Sequence, residues 1–247
     1  EIGTITPLAQ PGNPKPRLFR FPSQGAIVNR LGFNNKGVDY LVEKVKLRTF
    51  EGVLGINIGA NKKSEGQQRI DDYIECFTKV CPFADYIAVN ISSPNTPNLR
   101  SFHLEENFLP LFEALSLARE KMQYANPILI KLSPDEDENI ISIILSAIQK
   151  FDFDGVITSN TTIKKDDLKQ PSGKNLIGGL SGKPLFTKSN DLLKIAHSHD
   201  PHLFKIGVGG VDNKESFNSK LELGASLVQI YTSFIYQGPQ IVKKLLG

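Results

Sequence analysis

Apolar positions along this chain fall into two alternating patterns. Short, β-branched runs read as buried strands: Gly52-Val-Leu-Gly-Ile-Asn-Ile58, the segment from Asp85 to Ser92, Pro127-Ile-Leu-Ile-Lys-Leu132, Gly155 to Asn160, Phe204 to Gly210 and Leu227 to Thr232. Between them, apolar residues recur at helical spacing, as in Val38, Leu41, Val42 and Val45, then Tyr73, Phe77 and Val80, then Phe108, Phe112, Leu115 and Met122. A further helix is predicted after Asp135 as N-cap, with Ile140, Ile141, Ile144, Leu145 and Ile148 on its apolar face. Another surrounds Leu192, Leu193 and Ile195, and a short one lies near Phe217 to Leu221. Glu1 to Thr6 already reads as a strand. It is followed by a Pro/Gly/Asn-rich stretch and two short alternating pieces, Arg17 to Phe21 and Ala26 to Asn29, which suit a hairpin outside the main sheet. Gly178 to Gly182 reads as part of a longer polar loop.

Strands alternating with helices, each strand a near-continuous apolar run, imply a parallel sheet covered on its outer face. Seven such strands fit an α/β fold of the (β/α)8 TIM-barrel type lacking its first strand, in a single domain over residues 1–247. The competing doubly wound sheet calls for a Gly-rich turn after its first strand, and Thr4-Ile-Thr-Pro-Leu8 is not one.

Barrel sites form at the carboxyl ends of the strands. Those ends carry Thr4, Asn57, Asn90, Lys131, Asn160, Gly209-Gly210 and Tyr231-Thr232. One asparagine there would be a turn former; three at equivalent points suggest ligand recognition, because an amide offers both donor and acceptor. Lys131 lies inside an apolar strand, where it either snorkels to the rim or sets a positive charge against an electron-rich ligand. Gly207-Val-Gly-Gly210 suits the approach of backbone N–H groups to a phosphate, and the glycines of Gly178 to Gly182 could add donors. The most distinctive stretch is Asn90-Ile-Ser-Ser-Pro-Asn-Thr-Pro-Asn-Leu-Arg100, a set of polar side chains stiffened by two prolines at a strand end. Pro94 keeps Ser93 in an extended backbone.

Composition narrows the classes of function. Hydrophobic residues make up 40% and charged residues 22%, an ordinary globular balance. The net charge of +3 is spread along the chain, with no basic block or aromatic stripe for nucleic acid. Cys76 and Cys81 are too few for a disulfide framework and lack companions for a metal, which favours the cytosolic side and no metal site. The four histidines, His103, His197, His199 and His202, read as structural or solvent-facing, so no hydrolase triad is indicated. No run is long and apolar enough to span a bilayer, and no signal peptide is visible.

The Asn90 to Arg100 segment resembles the active-site loop of the dihydroorotate dehydrogenases. Further resemblance lies in Glu1 to Pro7, Pro11 to Arg20, Asn29 to Asn34, Gly178 to Leu185 and Gly224 to Thr232. Ser93, where class 1 members carry cysteine, points to the class 2, quinone-reducing branch. The resemblance implies oxidation of dihydroorotate to orotate in de novo pyrimidine biosynthesis, with FMN as first electron acceptor and a quinone as second. It implies Ser93 as catalytic base, with Thr96 and Phe33 on the proton exit path. It places Asn29, Arg30, Leu31, Gly32, Phe33, Asn90, Asn95, Asn160 and Thr161 around the substrate. Thr4, Asn57, Asn90, Lys131, Ser159, Gly182, Gly210, Tyr231 and Thr232 would contact FMN.

Family members begin with a membrane-associating helical segment and a first barrel strand bearing an FMN contact and a substrate lysine; neither is in this sequence. The implied location is peripheral, on the cytoplasmic side of a bacterial inner membrane or on the mitochondrial inner membrane. Two alternatives stay open: an FMN-binding barrel without turnover, and a related FMN enzyme using a soluble acceptor.

Overall fold

A computed structural model of the chain describes residues 1–92, 105–169 and 175–247. Its main sheet comprises β1 (Ile2–Ile5), β4 (Gly55–Ile58), β5 (Tyr86–Asn90), β6 (Ile128–Leu132), β7 (Gly155–Thr158), β9 (Phe204–Val208) and β10 (Leu227–Gln229), all parallel and paired in that order. These are the seven strands expected from the sequence. Among the described residues β1 pairs with β4 alone and β10 with β9 alone, so the curled sheet has two open edges where an eight-stranded barrel would hold one more strand.

The covering helices are α1 (Val38–Val45), α2 (Gly66–Val80), α3 (Glu105–Lys121), α4 (Glu138–Lys150), α5 (Phe186–His199) and α6 (Lys214–Glu222), followed by the short α7 (Thr232–Gln237) and α8 (Gln240–Leu246). The apolar stripes of α1 to α5 and the outer face of the sheet form the main core, in which Tyr73, Phe77, Phe108, Phe112 and Ile144 are buried. The helix after β6 begins two residues later than a cap at Asp135 implies. Asp137 is its N-cap, its side chain accepting from the Ile140 N–H at 3.0 Å. Asp135 instead binds the loop after β7. It accepts from Thr162 Oγ1 and, at 2.8 Å, from the Ile163 N–H, and it pairs with Lys188 at 3.0 Å.

The hairpin is present as β2 (Leu18–Phe21) and β3 (Ala26–Asn29), but it is not alone. Gly179–Gly182, expected in a loop, forms β8 and pairs antiparallel with β3, giving a separate three-stranded sheet. Glycine is required there: a Cβ on Gly182, at φ 91°, would lie 2.0 Å from the Gly25 carbonyl oxygen. The last strand also stops early. β10 ends at Gln229 and Thr232 opens α7.

Inside the barrel, Ala88, Leu129, Ile157 and Ile206 make a small apolar floor. Register sets polar residues just above it. Asn57 lies level with Ala88, and Asn90 two residues further along the same face lies level with Lys131.

Candidate active site

A cavity of about 850 Å³ opens at the carboxyl ends of the strands. That volume suits a cofactor together with a small substrate. Its wall contains Thr4, Asn57, Asn90, Lys131, Ser159, Asn160, Thr161, Gly182, Gly210, Tyr231 and Thr232, with Asn29 at the end of β3 and Leu31, Gly32 and Phe33 from the loop that follows.

The strand-end residues form a connected arc of hydrogen bonds. Asn160 Nδ2 donates to Asn90 Oδ1 at 3.2 Å, Asn90 Nδ2 to Thr4 Oγ1 at 3.1 Å, and Thr4 Oγ1 to Asn57 Oδ1 at 2.7 Å. Asn57 Nδ2 then donates to the Glu1 carboxylate at 3.1 Å. Four strands thereby hold one another's side chains, and each amide is partnered despite its burial. Ser92 supports the arc from below, its hydroxyl donating to the Lys131 carbonyl at 2.6 Å and accepting from Asn160 Nδ2 at 3.1 Å. The Tyr73 hydroxyl donates to the Asn90 carbonyl at 2.7 Å.

Lys131 reaches into the barrel rather than out to its rim. Its Nζ lies 3.5 Å from Glu1 Oε1 and 3.2 Å from Gln229 Oε1. Contact between β6, in the middle of the sheet, and residues at both edges is possible only because the sheet curls; in a flat sheet β10 would lie about 14 Å from β6. Glu1 is exposed along its backbone, yet its side chain is only 10% exposed. Burial pushes the Glu1 carboxyl up, but the Lys131 charge first, then hydrogen bonds with Asn57 and Gln229, hold its pKa below the ordinary value. Tyr86 also donates to Glu1, at 3.2 Å, and burial with the adjacent carboxylate pushes its phenol far up. Its ring occupies the space a side chain on Gly55 would take, where a Cβ would stand 2.0 Å from Tyr86 Cζ.

At the other end of the cavity, Gly209 and Gly210 have φ of 118° and 76°. A Cβ on Gly210 would lie 2.4 Å from Phe186 Cβ, so the turn is pressed onto α5. Thr232 Oγ1 lies 2.8 Å from Ser181 Oγ of β8. Asp212, the carboxylate nearest this turn in sequence, is paired with Lys183 at 2.7 Å.

The chain has known relatives. The family model described as dihydroorotate dehydrogenase matches residues 1–247. The chain belongs to the dihydroorotate dehydrogenase family. A dihydroorotate dehydrogenase (quinone) of Idiomarina loihiensis is 47% identical, the match covering 100% of this chain and 75% of that protein. A quinone enzyme of Psychromonas ingrahamii is 46% identical with the same coverage. The crystal structure of an Eimeria tenella family member in complex with ferulenol superposes with a TM-score of 0.92 at 32% identity, covering 99% of this chain and 72% of that one. This is a family of oxidoreductases, flavin-dependent in general.

With the family established, the expected residues divide into three groups. Most of them line the cavity, as described. Ser93, Asn95 and Thr96 lie outside the described residues, as does His103. Arg30 departs from expectation: its guanidinium donates twice to the Pro16 carbonyl, at 3.1 and 2.8 Å, and fastens the loop from outside the cavity. Glu1, Ser92, Gln229 and Ser181 were not anticipated. Glu1 and Gln229 could have been found as polar residues on the interior-facing alternation of the two edge strands.

Proposed function

We propose that this chain catalyses the oxidation of dihydroorotate to orotate in pyrimidine biosynthesis, with FMN as first electron acceptor and a membrane quinone as the second. The observation carrying this reading is the arc of Asn160, Asn90, Thr4 and Asn57 beside Lys131 in one cavity. The residues suit FMN chemically. Amide and hydroxyl groups of the arc match a planar ring of alternating donors and acceptors. The Gly209–Gly210 turn suits the phosphate, and Asp212 is neutralised by Lys183. When bound, FMN supplies an acceptor for a hydride and a relay of electrons to quinone.

In this reading Thr4, Asn57, Asn90, Lys131, Ser159, Gly182, Gly210, Tyr231 and Thr232 hold the cofactor. Asn29, Asn90, Asn95, Asn160 and Thr161 orient the substrate beside it, with Leu31, Gly32 and Phe33 closing one wall and Arg30 bracing the loop. Ser93 takes the proton from substrate C5, and Thr96 and Phe33 lead it away. Lys131 supplies positive charge where negative charge accumulates during reduction. Residues 1–247 act as one catalytic barrel domain. Electron delivery to quinone sets the protein at a membrane surface, the cytoplasmic face of a bacterial inner membrane or the mitochondrial inner membrane, with peripheral contact made by sequence upstream of Glu1. No described helix is long and apolar enough to cross a membrane.

Protein carrying FMN should be yellow, and anaerobic dihydroorotate should bleach it; flavin that stays oxidised would sink the reading. Ser93→Ala should slow the bleaching about 10²–10⁴-fold while FMN stays bound. One rival is a barrel that binds FMN without turnover, which predicts binding but no bleaching. A soluble acceptor is the weaker rival, because the relatives at 46–47% identity are quinone enzymes.

A further inference from the structure

Behind the glycine turn lies a lysine that the cavity does not contact. Lys220 of α6 is fully buried, and its Nζ donates to Ser189 Oγ of α5 at 2.6 Å. Ser189 Oγ lies 3.1 Å from the Gly209 carbonyl and 2.9 Å from that of Phe186. With the ammonium donating to the hydroxyl oxygen, the serine proton is left for those carbonyls. The charged neighbours on the packed elements are engaged elsewhere. Lys188 pairs with Asp135, Asp191 with Lys194 and Asp212 with Lys183, and Lys205 donates to backbone carbonyls. The titratable His197 lies against Gly224, while Lys214, Glu215 and Glu222 are exposed.

Peptide geometry gives this contact a consequence. The Gly209 carbonyl and the Gly210 N–H belong to one trans peptide unit, so they point in opposite directions. Anchoring the carbonyl on Ser189 therefore aims the N–H away from α5, on the side where Gly210 lines the cavity. The turn has little freedom to rotate, since a Cβ on Gly209 would stand 2.8 Å from Ser189 Oγ.

We propose that Lys220 and Ser189 are positioning residues for the flavin phosphate, holding the Gly209–Gly210 peptide with its N–H presented to that group. The proposal rests on the FMN reading above. Ammonium, hydroxyl, carbonyl and N–H form a line of aligned dipoles ending at an anion, each strengthening the next. Burial pulls the Lys220 pKa down to about 7, so near neutrality the site is partly uncharged until an anion arrives. FMN binding then takes up a proton at Lys220.

The test titrates flavin-free protein with FMN and with riboflavin, which lacks the phosphate, following flavin fluorescence. In the wild type the preference for FMN should fall roughly tenfold from pH 7 to 9, a range in which the phosphate itself is already ionised. Lys220→Met should weaken FMN binding about tenfold, leave riboflavin within about twofold and abolish the pH trend. Ser189→Ala should reproduce part of that loss with the charge retained. An FMN preference unchanged in both variants would overturn the proposal. So would a wild-type preference that does not vary with pH, a measurement that stands even if Lys220→Met fails to fold. Wild-type protein binding neither flavin would overturn the FMN reading itself and this proposal with it.

Discussion

Two lysines, a part-buried one in the cavity and a fully buried one behind it, solve the same physical problem in opposite ways. Lys131 stands beside a carboxylate and an amide, Glu1 and Gln229, so its charge is settled within the protein. Lys220 is more deeply buried, and among the described residues its partners are the Ser189 hydroxyl and the face of Phe186, whose ring centre is 5.6 Å away. A third, Lys205, spends its ammonium on the backbone carbonyls of Asp200, Pro201 and Leu203 and stays clear of the site. The difference between the first two is the instructive one. A paired charge is a fixed part of the ground state, whereas an unpaired one lowers stability until a ligand compensates it.

Removing each charge tests this contrast. Lys131→Met should cost about 3 kcal/mol, because it strands the Glu1 carboxylate, and adding Glu1→Gln should restore most of the loss in urea unfolding. Lys220→Met should act in the other direction on a pH axis. The unfolded chain keeps the Lys220 proton up to its ordinary pKa near 10.4, while the native state releases it near 7. Between those values the unfolded state binds more protons, so flavin-free wild type should gain roughly 2 kcal/mol from pH 7 to 9 relative to Lys220→Met. A parallel pH trend in the two proteins would break the comparison. The smallest effect belongs to Gln229→Ala, expected to cost less than about 1 kcal/mol since Lys131 keeps Glu1.

The seven strands and the polar strand ends were legible because an asparagine or lysine at the end of an apolar run breaks the pattern. Asn57, Asn90, Lys131 and Asn160 all stand out this way. Other features carry no such local signal. Lys220 sits in Lys214-Glu-Ser-Phe-Asn-Ser-Lys-Leu-Glu222, a polar stretch that reads as a solvated helix face, and only tertiary packing buries it. β8 reads as part of a polar loop because its partner β3 is about 150 residues away in sequence. Asp135 and Asp137 are both plausible caps, and the choice was decided by Thr162 and Lys188, which claim Asp135 from other elements.

The arc across the cavity also has a polarity. Every donor in it points the same way round, from Asn160 through Asn90, Thr4 and Asn57 to Glu1. The last member is a carboxylate whose pKa is held low, so it only accepts, and that end fixes the sense of the rest. Turning over Asn57 would set its oxygen against the Glu1 carboxylate, and turning over Asn90 would set its N–H against that of Asn160; Thr4, being a hydroxyl, can donate or accept. The carboxylate at one end and the Asn160 amide at the other thus hold each middle amide in one orientation.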